Sequence, residues 1–334
     1  MHEIKDRQVF IAVLDWGMGH ATRMKPVIQH LAENNTVILG VTSVNDFYFQ
    51  EQFPLLKKVT LPSYGIRYSE FLPVWLKLIL DWPGISRIVK SEQALLPKII
   101  SENKIDLVIS DSRFGLFSKD CESIIVSHQL QLKTPFQMQF AARLNKKWLE
   151  RFHEIWVPDY EDGARSLAGK LSRAAGLRTR VSYIGPQSAL LPPQKTEADY
   201  KSDLVILLSG PEPQRSILEN LLVSALQTSD KKIVLLRGTR KPAGTMPAHF
   251  RIIDFCQPTE LAHWLHCADT IICRSGYSSL MDLHALHKKK IILIPTPGQS
   301  EQEYLAFYWK EKFEAVCLLQ KQIGKELSLL LKTH

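Results

Sequence analysis

Residues 15–23 read DWGMGHATR, between an apolar run, QVFIAVL, and the stretch MKPVIQHLAENN. Gly17 and Gly19 lead directly into His20. An imidazole titrates near neutrality and can take a proton from a substrate. Glycines keep the neighbouring backbone close and uncrowded. The same residues also suit a tight turn with a polar tip. A base works better when a third group orients it, and Asp111, ending IDLVISD, is the best candidate for that role. His128, ending SIIVSHQ, has three readings: lining the same site, replacing His20 as base, or a satisfied histidine at a strand end.

A second group lies in CRSGYSSLMDLH, residues 273–284. Arg274 and Ser275 end an apolar run, and Gly276 permits a tight turn. Ser278 and Ser279 then open a helix. A helix N-terminus offers unpaired N–H groups and positive dipole character, which suit a diphosphate. Asp282, further along, can accept hydrogen bonds from ribose hydroxyls. The bland alternative is a serine N-cap on an ordinary helix.

These residues need elements to place them. QVFIAVLD (8–15), TVILGVT (36–42), IDLVISD (105–111), SIIVSHQLQL (123–132), EIWVPD (154–159) and VSYIGP (181–186) read as strands, several separated by helical segments. Continuous apolar runs of this kind belong to parallel sheets covered on both faces. An amphipathic helix is expected over about 22–33, with Pro26 early in it, where a missing N–H costs little. Residues 187–202 carry a Pro pair and polar residues and read as a linker. The alternation then restarts with DLVILLS (203–209), KKIVLLRG (231–238), RIIDFC (251–256), DTIICRS (269–275) and IILIPTP (291–297), with helices between and a largely helical tail. The expected architecture is α/β: two Rossmann-like, doubly wound domains, 1–186 and 203–334, facing a central cleft, with the last helix packing back on the first domain.

The 334 residues carry Lys+Arg 42 against Asp+Glu 34, a net +8. That surplus favours anionic partners and also fits an ordinary solvated surface. No basic run with interleaved aromatics and no zinc spacing supports nucleic-acid binding. Five scattered cysteines and a polar start without a signal-like apolar core point to reduced thiols and a cytoplasmic setting. The stretch 64–90 mixes Trp75, Leu76, Leu78, Ile79, Leu80 and Trp82 with Arg67, Lys77, Arg87 and Lys90. It reads as a peripheral contact with the inner membrane face or, more commonly, as an amphipathic helix packed on the sheet.

RSGYSSLMDLHALHKKKIILIP resembles the nucleotide-sugar segment of family-28 glycosyltransferases, which include the N-acetylglucosaminyltransferase of peptidoglycan lipid synthesis. The matching positions are Arg274, Ser275, Gly276, Ser278, Ser279, Asp282, Pro295 and Gln302. Asp282 stands where the family usually has Glu. The resemblance implies a GT-B fold with the acceptor in the first domain and the donor in the second. It implies a UDP-sugar donor such as UDP-N-acetylglucosamine, a hydroxyl acceptor, inversion at the sugar, and no metal or other cofactor. Gln302 would face the donor sugar, with Phe255 and Cys256 beside the base. Ser209 and Gly210 would form a phosphate loop with Arg215. GMGHATRMKP resembles the first loop of the superfamily, with Asp15 and Trp16 in place of its leading glycines. On this resemblance His20 is the base and Asp111 orients it. Two alternatives remain. D-S-x-x-G-L at Asp111–Leu116 resembles UDP-sugar hydrolases of the same fold, and a non-catalytic nucleotide-sugar binder would share the site.

Overall fold

A computed structural model describes residues 4–65, 74–132, 139–174, 176–195, 198–239, 244 and 246–333. The chain divides between Ala189 and Leu190 into two compact units, inside the stretch read as a linker.

The first unit runs β1 (Gln8–Val13), α1 (Met18–Ala32), β2 (Thr36–Val41), α2 (Asp46–Gln52), β3 (Lys57–Thr60), α3 (Val74–Asn103), β4 (Leu107–Asp111), β5 (Glu122–Val126), α4 (Gln139–Leu149), β6 (Glu154–Val157) and β7 (Arg180–Tyr183). Its seven strands are all parallel, in the order β3-β2-β1-β4-β5-β6-β7. Successive side chains of a strand point to opposite faces. Val9, Ile11 and Val13 therefore join Met24, Val27, Ile28 and Leu31 of α1. Phe10 and Ala12 join Leu96 and Ile99 of α3.

The second unit runs β8 (Ser202–Leu207), α5 (Gln214–Ala225), β9 (Ile233–Leu236), β10 (Phe250–Ile253), α6 (Pro258–Cys267), β11 (Ala268–Cys273), α7 (Tyr277–Ala285), β12 (Ile291–Leu293), α8 (Ser300–Phe313), β13 (Val316–Cys317) and α9 (Ile323–Thr333). Its six parallel strands take the order β10-β9-β8-β11-β12-β13. The doubly wound α/β architecture expected from the alternation is thus present in both units.

Several expectations change. α1 begins at Met18, four residues earlier than expected, because Gly17 alone makes the turn at φ 83°. Pro26 is consequently interior, and the carbonyl of Thr22 lacks its usual helical donor. The strand expected over 123–132 stops at Val126, so His128 lies beyond it: Ser127 still bonds Trp156, but its hydroxyl then accepts from the Gln129 N–H in a local turn. β3 was not expected, because KKVT is a lysine-bearing edge strand and half exposed. The last helix packs within its own unit. Ile323, Leu327 and Leu331 enter the second unit's own core with Leu218 and Leu222.

α3 covers most of 64–90. Arg67 and the side chains of 74–79 lie outside the described residues. Val89 is buried, Leu80 is exposed, and Trp82 stacks on Trp148 at 5.3 Å.

A polar cluster ties this helix to the ends of β1 and β4. The Arg113 guanidinium donates to Glu92 (2.6 Å) and to the carbonyls of Val13 (3.3 Å) and Pro62 (2.6 Å). The Tyr64 hydroxyl donates to the other Glu92 oxygen at 2.9 Å. Ser63 Oγ donates to Asp15 at 2.5 Å and the Tyr64 N–H at 3.3 Å. Burial raises the Glu92 carboxyl although Arg113 opposes it. A Cβ on Gly115 would sit 2.5 Å from Glu92 Oε2, so glycine there is a packing requirement. In Glu92→Ala, Arg113 stays buried without its carboxylate, and stability falls by about 3–5 kcal/mol in urea denaturation.

Candidate active site

In the first sheet the strand order reverses between β1 and β4, and in the second between β8 and β11. At such a switch point the following connections leave in opposite directions and open a crevice at the strands' carboxyl ends. The residues singled out in the sequence gather at these two places.

In the first unit, Asp111 is the last residue of β4 and is fully buried opposite Val13 of β1. The turn at Gly17 starts α1 so that His20 lies in its first turn. His20 Nδ1 is 2.8 Å from Asp111 Oδ2. Arg23, three residues on and on the same helix face, donates through Nη2 to Asp111 Oδ1. The same Nη2 lies 2.9 Å from His20 Nδ1, and Nη1 lies 3.3 Å from His128 Nδ1.

Burial alone would raise the Asp111 carboxyl, but Arg23 and then His20 outweigh it and hold it below its ordinary value. An ionised carboxylate only accepts, so His20 Nδ1 carries the proton and donates to Asp111, while Arg23 Nη2 donates to the other Asp111 oxygen and is only a neighbour of that ring nitrogen, not its hydrogen-bond donor. His20 Nε2 is then the bare nitrogen, and it has no hydrogen-bond partner among the described residues. Burial, and after it the Arg23 charge, lower the His20 imidazole below its ordinary value; Asp111 opposes them. The ring is therefore neutral at pH 7. Arg23 can only donate, so in its contact with His128 the Nδ1 of that ring is the acceptor.

In the second unit, α7 starts after Gly276, with no side-chain cap. The serine-cap alternative is not realised, because Ser275 Oγ turns away and donates to the Gln302 carbonyl at 2.7 Å. Gly276 itself has φ −70°, so its glycine serves no unusual turn. A Cβ there would meet only the Gln302 side-chain nitrogen, at 3.9 Å. The Thr296 N–H donates to Gln302 Oε1 at 2.9 Å, which orients the amide. Its Nε2 has no hydrogen-bond partner among the described residues and can donate to a ligand. Ser278, Ser279 and Asp282 are partly exposed and share one helix face by their spacing.

Two arginines expected at the donor are occupied elsewhere. Arg274 is buried, donating to the carbonyls of Ile294 (3.2 Å), Pro295 (3.1 Å) and Gln214 (3.0 Å) and to Gln320 Oε1 (2.8 Å). It ties together the loops that flank the switch point rather than pointing at a ligand. Burial without a carboxylate pushes its guanidinium down to about 10. Arg215 is held by Glu212 and Glu219, each at 2.7 Å, so its charge is already matched.

Ser209 and Gly210 follow β8, and Gly210 is exposed with φ 94°. Phe255 and Cys256 follow β10, two strands away from β8. Phe255 is exposed, while burial and then Glu260 push the Cys256 thiol up to about 12, leaving it neutral. Arg23 is the residue that sequence reasoning missed. Its signal was the i, i+3 spacing from His20.

Residues 215–333 match the glycosyltransferase family 28 C-terminal domain. Comparison with curated proteins gives no match. Among solved structures, Arabidopsis thaliana UGT89C1 complexed with UDP-L-rhamnose superposes with a TM-score of 0.68 at 14% identity, covering 98% of this chain and 91% of that one. CalG4, the calicheamicin glycosyltransferase, gives 0.66 at 13%, covering 98% and 90%. The spinosyn rhamnosyltransferase SpnG complexed with thymidine diphosphate gives 0.63 at 13%, covering 98% and 92%. At these identities the superpositions speak to fold, and the family match speaks to the second unit. Residues 215–333 thus match the family 28 glycosyltransferase C-terminal domain, and along its length the chain has the fold of these glycosyltransferases.

Proposed function

We propose that the protein moves a sugar from a UDP-sugar, UDP-N-acetylglucosamine being the first donor to try, onto a hydroxyl acceptor, with inversion and without a metal. The observation that carries this reading is the His20–Asp111 contact of 2.8 Å with Nε2 left bare. Nε2 takes the acceptor proton as the acceptor oxygen bonds to the anomeric carbon. The bond from that carbon to the diphosphate breaks, and UDP leaves with the electron pair. The imidazolium, facing Asp111, then gives its proton to solvent. The developing charge on the diphosphate is met by the N-terminus of α7. Asp282 receives the ribose hydroxyls, and the Gln302 amide meets the sugar. Among the described residues, no group of three or more His, Cys, Asp or Glu is arranged for a metal ion.

The two neighbours solved with UDP-L-rhamnose and with thymidine diphosphate support a nucleoside diphosphate donor. We place the reaction in the cytoplasm, supported by the five unpaired cysteines. Among the described residues, no helix is long and apolar enough to cross a membrane. The hydrolase reading leaned on D-S-x-x-G-L, but Arg113 and Gly115 of that pattern are used in holding Glu92.

A panel of UDP-sugars with and without cell-lipid extract tests the reading. UDP release that needs the extract supports transfer, release into water alone supports hydrolysis, and binding without release sinks both. EDTA is expected to leave turnover unchanged. His20→Ala is expected to lower kcat by about 10²–10⁴-fold with little change in donor KM. The base must be unprotonated, and its value lies below the ordinary 6.5. The rate is therefore expected to be level through neutrality and to fall only as pH drops below that range, as a kcat/KM profile would show.

A further inference from the structure

Arg23 is hard to account for as a stabilising residue. Its side chain is 2% exposed, and its Nε is buried without a hydrogen-bond partner among the described residues. Leaving a buried donor unpaired costs about 1–3 kcal/mol, and an apolar side chain would fill the space without that cost. Arg113, in the same unit, shows how a buried arginine is held for structure: all three of its guanidinium nitrogens reach acceptors. Arg23 instead aims both terminal nitrogens at ionisable side chains. These are Asp111 from the end of β4, His20 from its own helix, and His128 from beyond β5.

We propose that Arg23 is a positioning residue for the transfer reaction, acting through Asp111 to keep the His20 proton on Nδ1 and Nε2 bare. The inference rests on His20 being the base. A buried carboxylate without a cation tends to take up a proton. A protonated Asp111 would donate to His20 Nδ1, move the ring proton to Nε2 and disable the base. Arg23 prevents this by matching the carboxylate charge. It also stands beside the ring, where a second positive charge is disfavoured, so His20 stays unprotonated to lower pH.

The test is a histidine-labelled NMR titration of the full chain without substrate, with His20→Ala assigning the resonance. In the native protein at neutral pH, nitrogen shifts are expected to place the His20 proton on Nδ1; a proton on Nε2 overturns the proposal without any variant. In Arg23→Met, the His20 midpoint is expected to rise by about one pH unit or more. In Arg23→Lys, which keeps the charge, it should rise less. The acid limb of kcat/KM should move the same way while donor KM holds. An unmoved midpoint with lower thermal stability means that Arg23 is only structural. If the midpoint moves but the acid limb does not, Arg23 positions the ring and His20 is not the base.

Discussion

Asp111 has no solvent exposure, and a carboxylate in that position persists only where a cation and hydrogen-bond donors replace the lost water. Arg23 and His20 supply both from one helix, three residues apart. Their approach depends on the parallel register that sets Asp111 beside Val13 and on the turn at Gly17 that starts α1 early enough. A later helix start would leave His20 in a loop, with its Nδ1 free to choose another partner. The proton position on the ring follows from a backbone turn and a strand pairing.

The second unit treats charge differently. Glu219 joins Arg215 at 2.7 Å and Arg237 at 2.6 Å, closing a buried network beside β8 and β9. Arg274 is satisfied by neutral oxygens alone. These arginines hold loops at the carboxyl ends of the strands. Beside them the Gln302 amide is fixed by the Thr296 N–H, with its Nε2 lacking a hydrogen-bond partner among the described residues. A rigid frame with few outward donors suits recognition of a diphosphate, whose oxygens need fixed partners more than additional side-chain charge.

Much of this was legible because parallel strands covered on both faces write themselves as apolar runs. Both sheets, the two loop motifs and the His20–Asp111 pairing were read that way, the last with help from family resemblance. The strand β3 was hidden, since an edge strand bearing Lys57 and Lys58 has the composition of a loop. The partners that Arg215 and Arg274 find within the protein could not be read from the sequence for a physical reason. Residue type gives the charge, but only packing shows whether a carboxylate or a carbonyl already uses it. Arg23 was overlooked because its i, i+3 spacing from His20 marks only a shared helix face, and the fold alone brings Asp111, distant in sequence, against it.

The family match begins at Arg215, inside the second unit, and the first unit's loop has Asp15 and Trp16 where the resembled loop has glycines. The structure gives Asp15 a use that glycine cannot serve. Its carboxylate accepts from Ser63 Oγ and from the Tyr64 N–H, fastening the segment after β3 to the end of β1. Tyr64 is in turn locked to Glu92 of α3. The loop leading to His20 is therefore anchored by side chains from two other elements instead of being left open by glycines. A loop built this way trades backbone freedom for fixed side-chain anchors ahead of His20.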